Sequence, residues 1–128
     1  MSSPTRQVLS SPRVRRLGPY SQAVQVGDTI YVAGQAGIDP ASGKPVGDTF
    51  EAQARQAFTN LRALLEDVAS SMDRVVKTTC YVADAGAFDT LNELFTEFFP
   101  EAPPVRSTPV VALPRGLKFS IDAIAIAK

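Results

Sequence analysis

The segment Pro103-Pro104-Val105-Arg106-Ser107-Thr108 brings a guanidinium and two hydroxyls together at the start of a strand-like run. Two prolines fix the entry of that strand, and Arg106 then presents a planar fork that matches a carboxylate in two-point contact. An arginine on a sheet needs an anionic partner, which is either a ligand or an acid of the chain itself. The internal candidate is Asp122, which shares a face of the last strand with Ser120. Gly34-Gln35 follows a strand, where a glycine either lets a ligand approach backbone N–H groups or simply serves a turn. In Gly18-Pro19-Tyr20-Ser21-Gln22, Tyr20 either aims a hydroxyl into a pocket or packs against the turn. Cys80 stands in an alternating apolar run and packs there as a small hydrophobe. Histidine is absent and Cys80 is the single cysteine, which excludes disulfides, zinc clusters, Ser-His-Asp and Cys-His catalysis, and His-ligated metals. Chemistry in this chain falls to Arg, Tyr, Ser, Thr, Asp, Glu and backbone groups.

These residues need elements to position them. A length of 128 residues suits one domain, and a composition 45% hydrophobic and 20% charged is that of an ordinary globular protein. Thirteen basic and thirteen acidic residues cancel, so no global field draws the chain to nucleic acid or an anionic membrane. Met1 to Leu9 lack the apolar core of a signal peptide and no run suits a membrane helix. With an unpaired thiol, this places the protein in the cytoplasm. Ser2 to Arg16 is expected to be partly extended and loosely held, its four arginines forming a solvated face rather than a nucleic-acid arm.

Strands are expected at Ala23–Val26 and Thr29–Ala33, joined as a hairpin through Gly27-Asp28, with a possible extra strand near Val8. Gly34 to Gly47 reads as a loop. A helix starts near Asp48, with Asp48 and Glu51 in capping-box relation, carries an apolar stripe from Phe50 to Val68, and ends at Ser70-Ser71. Val75–Val82 is a strand with Val76, Thr78, Cys80 and Val82 on one face. A second helix covers Ala87–Phe99, and strands follow at Val105–Ala112 and Lys118–Ala127. Both helices are amphipathic and must share one face of a single sheet, an α+β layer pair. Ile124 and Ile126 face away from Phe119, Ile121, Ala123 and Ala125, so the C-terminal half of the last strand is apolar on both sides. Two helices cover only one of those sides, which implies a homo-oligomer.

The chain resembles the reactive-intermediate deaminase family, RidA/YjgF, once labelled translation inhibitors or L-PSP endoribonucleases. The resemblance rests on Gly18-Pro19-Tyr20-Ser21-Gln22-Ala23-Val24, Gly34-Gln35, Asp39-Pro40 with Gly43, Gln53-Ala54-Arg55-Gln56 and Val75-Val76-Lys77-Thr78-Thr79. It continues through Asn92-Glu93, Pro104-Val105-Arg106-Ser107-Thr108, Leu113-Pro114-Arg115-Gly116 and Ala123-Ile124-Ala125, in the family's order and spacing from Pro12 to Ala125. It implies one domain over residues 1–128 with a chorismate-mutase-like α+β fold, a homotrimer with sites between subunits, and no cofactor. The implied activity is hydrolysis of enamine and imine acids, such as 2-aminoacrylate and 2-iminobutanoate, to 2-keto acids and ammonia.

By the same resemblance Arg106 grips the substrate carboxylate and the backbone N–H of Gly34 helps hold it. Tyr20 forms part of the pocket wall, Asn92 is a polar residue of the cleft, and Thr108 follows the Arg-Ser pair. Two positions depart from the family's pattern: Ala33 replaces a serine, and Ser120 replaces the glutamate that positions the attacking water. Ser120 is expected to orient that water and Asp122 to be structural, since a hydroxyl is no general base near neutral pH. The alternatives are a carboxylate-binding member without catalysis, a pathway-specific deaminase of another enamine acid, and an endoribonuclease, which zero net charge and absent histidine disfavour.

Overall fold

The computed structural model describes residues 5–128, and its elements run β1 (Arg6–Leu9), β2 (Ala23–Val26), β3 (Thr29–Ala36), α1 (Phe50–Asp67), β4 (Val75–Val82), α2 (Phe88–Phe98), β5 (Val105–Ser107) and β6 (Phe119–Ile126). The strands form one sheet in the order β1-β2-β3-β6-β4-β5. All neighbours are antiparallel except β4 and β5, which run parallel because α2 carries the chain back between them. Both helices cover the same face. The expected α+β layer pair is what forms.

The core lies between the helices and that face. Phe58, Leu61, Leu64 and Leu65 of α1 and Leu91 and Leu94 of α2 meet Ile30, Val82, Phe119 and Ile121 of the sheet, all essentially inaccessible to water. Phe58 sits at the centre of an aromatic cluster, 4.9 Å from Phe98, 5.5 Å from Phe119 and 6.3 Å from Phe95 between ring centroids. The burial pattern of β6 alternates strictly, with Phe119, Ile121, Ala123 and Ala125 inward. Ile124 and Ile126 fall on the open face, where Val8, Val24, Tyr31 and Ile124 lie side by side across four strands in register. Tyr31 and Val8 are about half exposed there, at 49% and 51%.

Several boundaries move. β3 continues to Ala36 instead of giving way to a loop at Gly34, and a bulge between Val32 and Gln35 absorbs the glycine. The cap of α1 is Thr49, whose Oγ1 accepts from the Ala52 N–H at 3.2 Å. This is one residue beyond Asp48, and Phe50 then opens the stripe by meeting Phe119 edge-on at 5.6 Å. A second register shift between Val75 and Lys77 turns Val75 inward and leaves Val76 exposed, so Val76 does not share the face of Thr78, Cys80 and Val82. α1 closes at Asp67 with Val68 as its cap, short of Ser70. The run expected over Val105–Ala112 shortens to Val105–Ser107, followed by an isolated bridge between Val82 and Val110.

The N-terminal segment is not loose over its described part. β1 pairs fully with β2, and Gln22 ties the following turn by accepting from the Ser11 N–H and donating to Val14 O. Arg13 bonds Asp67, Glu66 and the Ala63 carbonyl on α1. The guanidinium of Arg13, and next the Ser11 hydroxyl, hold the Asp67 carboxyl below the usual aspartate value. Residues 1–4 of that segment lie outside the described residues. No helix among the described residues is long and apolar enough to cross a membrane.

The exit of β3 is clamped. A Cβ at Gly37 would stand 2.4 Å from the Gln53 carbonyl oxygen, so α1 rests directly on strand backbone there. Asn60 donates from Nδ2 to both Ala36 O and Ile38 O, and Gln53 donates to Gly47 O while accepting from the Lys118 N–H.

Candidate active site

Arg106 belongs to β5, the edge strand, and pairs with Thr78 of β4. Thr78 and its β6 partner Ala123 are buried under the helices, so the register directs Arg106 to the helix side of the sheet. There α2 receives it. The guanidinium carbon lies 4.9 Å from the Phe95 ring centroid and 5.3 Å from that of Phe88, and Nη2 donates to Asn92 Oδ1 at 2.7 Å. Two aromatic faces and an amide thus orient a partly buried cation without neutralising it. Among the described residues Arg106 has no carboxylate partner.

Asp122 does not neutralise Arg106. It pairs with Thr79, the next residue along β4, and consecutive strand residues face opposite ways. The Asp122 carboxylate therefore stands on the open face, where Oδ2 accepts from the Tyr81 hydroxyl at 2.9 Å. That bond, followed by burial, pushes the Tyr81 hydroxyl pKa up.

Gly34, Tyr20 and Ser120 form a second group. A Cβ at Gly34 would lie 3.1 Å from Ser120 Oγ, which puts the serine over the bulged strand. Tyr20 lines the same small hollow as Gly34, with Arg15, Leu17, Ala36 and Asn60, and its hydroxyl accepts from the Leu17 N–H at 3.2 Å. Thr108, half-buried, follows β5 beside Arg106. Asn92, Arg106 and Thr108 thus gather at the β5 edge under α2, and Tyr20, Gly34 and Ser120 gather across the sheet. From Gly34 to Arg106 the path crosses β6 and β4, three strand spacings or about 14 Å, and changes face. A four-carbon acid cannot touch both groups of one chain.

Cys80 is buried on the helix side, and desolvation pushes its thiol up to about 12, against smaller opposing influences of Arg106 and Thr78. It packs and does not react. The pocket walls supplied by Phe88 and Phe95 were hidden in the sequence, since both fit the apolar stripe of α2. The 48% exposure of Phe88 shows that its ring serves the cleft more than the core. Tyr81 was hidden as the outward member of an alternating strand, and only its register with Ser120 reveals it.

A mixed six-stranded sheet layered with two helices, with an arginine fork at its edge and a bulged glycine strand beside a serine, defines a small α+β protein. The chain belongs to the Endoribonuclease L-PSP family, which it matches over residues 11–127. This is the RidA/YjgF family of the sequence resemblance. A mouse protein named 2-iminobutanoate/2-iminopropanoate deaminase is 44% identical over 128 residues, spanning 98% of this chain and 95% of the relative. The crystal structure of RidA from the Antarctic bacterium Psychrobacter superposes with a TM-score of 0.89 at 37% identity, covering 94% of this chain and 98% of that one. Escherichia coli TdcF, solved with bound serine, superposes with a TM-score of 0.88 at 31% identity over 95% of this chain and 99% of its own.

Proposed function

We infer that this chain is a hydrolytic deaminase of 2-imino acids of the 2-iminobutanoate and 2-iminopropanoate kind, releasing 2-keto acids and ammonia. The observation that carries the reading is Arg106, stacked on Phe88 and Phe95 and fixed by Asn92 yet lacking an acidic partner among the described residues. Such a fork binds one carboxylate in two-point contact. The deaminase name borne by relatives spanning nearly the whole chain agrees with this reading, and TdcF holds an amino acid, another small carboxylate.

The site is complete only between subunits. In the proposed homotrimer Tyr20, Gly34 and Ser120 of one subunit meet Asn92, Arg106 and Thr108 of its neighbour. The uncovered apolar rows through Tyr31 and Ile124 supply the contact between subunits. The whole chain, residues 1–128, acts as one domain, in the cytoplasm, where imine acids arise and a buried free thiol stays reduced. Arg106 holds the carboxylate, the Gly34 N–H adds a second donor to it, Tyr20 and Thr108 wall the pocket, and Ser120 anchors water over the imine carbon. A protonated imine is already electrophilic, so fixing acid and water together lowers much of the barrier by positioning.

The test is 2-oxobutanoate and ammonia formation from freshly generated 2-iminobutanoate, wild type beside Arg106→Ala. Loss of the reaction in the variant with its fold intact is expected. An equal rate in both proteins refutes the reading. The serine at position 120 favours one alternative, a carboxylate binder without catalysis, which would bind 2-oxobutanoate by calorimetry and release no ammonia.

A further inference from the structure

The open face of the sheet carries a polar ladder beside Gly34. Lys77, Thr79 and Tyr81 alternate outward along β4, and Thr79 and Tyr81 are the register partners of Asp122 and Ser120. Lys77 Nζ donates to Thr79 Oγ1 at 3.3 Å, and the Tyr81 hydroxyl donates to Asp122 Oδ2 at 2.9 Å. The second carboxylate oxygen, Oδ1, accepts no bond among the described residues, nor does Ser120 Oγ make one. Ser120 and Asp122 are two residues apart on one face of a strand, about 6.6 Å along the chain. One water hydrogen-bonded to both, at about 2.8 Å each, reaches across about 5.6 Å at most, so it bridges the two side chains where they lean toward each other by about 1 Å.

We propose that Asp122, held in place by Tyr81, is the carboxylate that takes the proton of the hydrolytic water in this chain, with Ser120 as that water's second anchor. The inference rests on the deaminase reading and assigns its base. Water oxygen bonds to C2 of the protonated imine while the C=N pair moves to nitrogen, and the water proton passes to Asp122. Asp122 then returns this proton to nitrogen. The C–N bond breaks with its electrons on ammonia, and the remaining hydroxyl passes its proton through the freed Asp122 carboxylate to that ammonia as the C=O bond of the keto acid forms. Imine, water and proton balance keto acid and ammonium. Tyr81 is a positioning residue, acting through Asp122.

The experiment measures kcat and KM for 2-iminobutanoate, and calorimetric binding of 2-oxobutanoate, in wild type, Asp122→Asn, Tyr81→Phe, Ser120→Glu and Ser120→Glu/Asp122→Asn. Asp122→Asn is expected to lower kcat by roughly 10²-fold or more, the scale of lost proton transfer, with KM and 2-oxobutanoate binding little changed. Tyr81→Phe lowers kcat about tenfold, the scale of one hydrogen bond. Ser120→Glu restores turnover to the Asp122→Asn background, which a merely structural role for Asp122 does not allow. An Asp122→Asn enzyme with wild-type kcat overturns the proposal, as does a double variant no faster than Asp122→Asn. Tyr81→Phe keeps the ring and the fold, so its unchanged kcat overturns the proposal even where Asp122→Asn fails to fold. A wild type that hydrolyses the imine at a rate Asp122→Asn leaves unchanged overturns the assigned base alone, whereas one that binds 2-oxobutanoate without hydrolysing the imine overturns the deaminase reading together with the base. One that does not bind overturns the deaminase reading as well.

Discussion

Replacing Arg106 by lysine separates charge from geometry. The guanidinium keeps its orientation through Asn92 Oδ1 at 2.7 Å and through rings 4.9 and 5.3 Å away, leaving a fork free for both oxygens of a carboxylate. Each charge-assisted hydrogen bond of that fork contributes about 1.5–3 kcal/mol. Lysine retains the charge but offers a point donor, so one of the two bonds is lost. At about 1.4 kcal/mol per tenfold, kcat/KM falls about tenfold to a hundredfold in Arg106→Lys and about 10²- to 10⁴-fold in Arg106→Ala. The assay is the initial rate of 2-oxobutanoate formation from fresh 2-iminobutanoate, with the spontaneous rate subtracted, alongside circular dichroism as a check of folding. The dissociation constant for 2-oxobutanoate rises in parallel, since the lost bond belongs to the carboxylate in both ligands. A lysine variant within threefold of wild type refutes the two-point geometry.

Sedimentation at micromolar concentration is expected to give about three times 13.7 kDa, and a monomer there contradicts the shared site. Phe58→Ala, which empties the centre of a cluster holding Phe95, Phe98, Phe99 and Phe119, costs roughly 3–5 kcal/mol, seen as a fall in the urea midpoint of at least about 1 M at fixed protein concentration. A smaller shift means the cluster collapses around the gap. The depressed carboxyl of Asp67 stabilises the fold above the ordinary aspartate value of 3.8, and this increment is lost as pH falls through the lower folded value. Arg13→Gln therefore unfolds at lower urea than wild type near about pH 6, and the two converge in acid; a pH-independent gap excludes the carboxylate as the cause.

Sequence pattern carried the layers but not their phase. Apolar spacing in Phe50–Val68 and the alternation of Phe119–Ile126 are repeated along each element, so both the helix and the strand were legible without partners. Bulges are single-residue events set by tertiary pairing. Nothing local marks the one that draws Gly34 into β3 or the one that exposes Val76. The same holds for the site. Arg106 is legible by type and flanking prolines, whereas the choice between a ligand and Asp122 as its partner stays open in the sequence, because Asp122 and Arg106 are assigned to faces by a strand that lies between them. Phe88 and Phe95 look like core by spacing, and only the position of β5 beneath α2 turns them into the walls of a cation's seat.

The contact at Gly37 bears on speed as well as shape. With the α1 backbone at Gln53 against Gly37, and Asn60 pinning Ala36 and Ile38 on either side of it, the exit of β3 has little slack to give. In the proposed site the Gly34 amide just upstream is therefore aimed before any substrate arrives, and no loop must fold down to aim it. An enzyme of this build spends none of its binding energy on ordering that strand. Turnover then includes no step in which that strand must first be ordered.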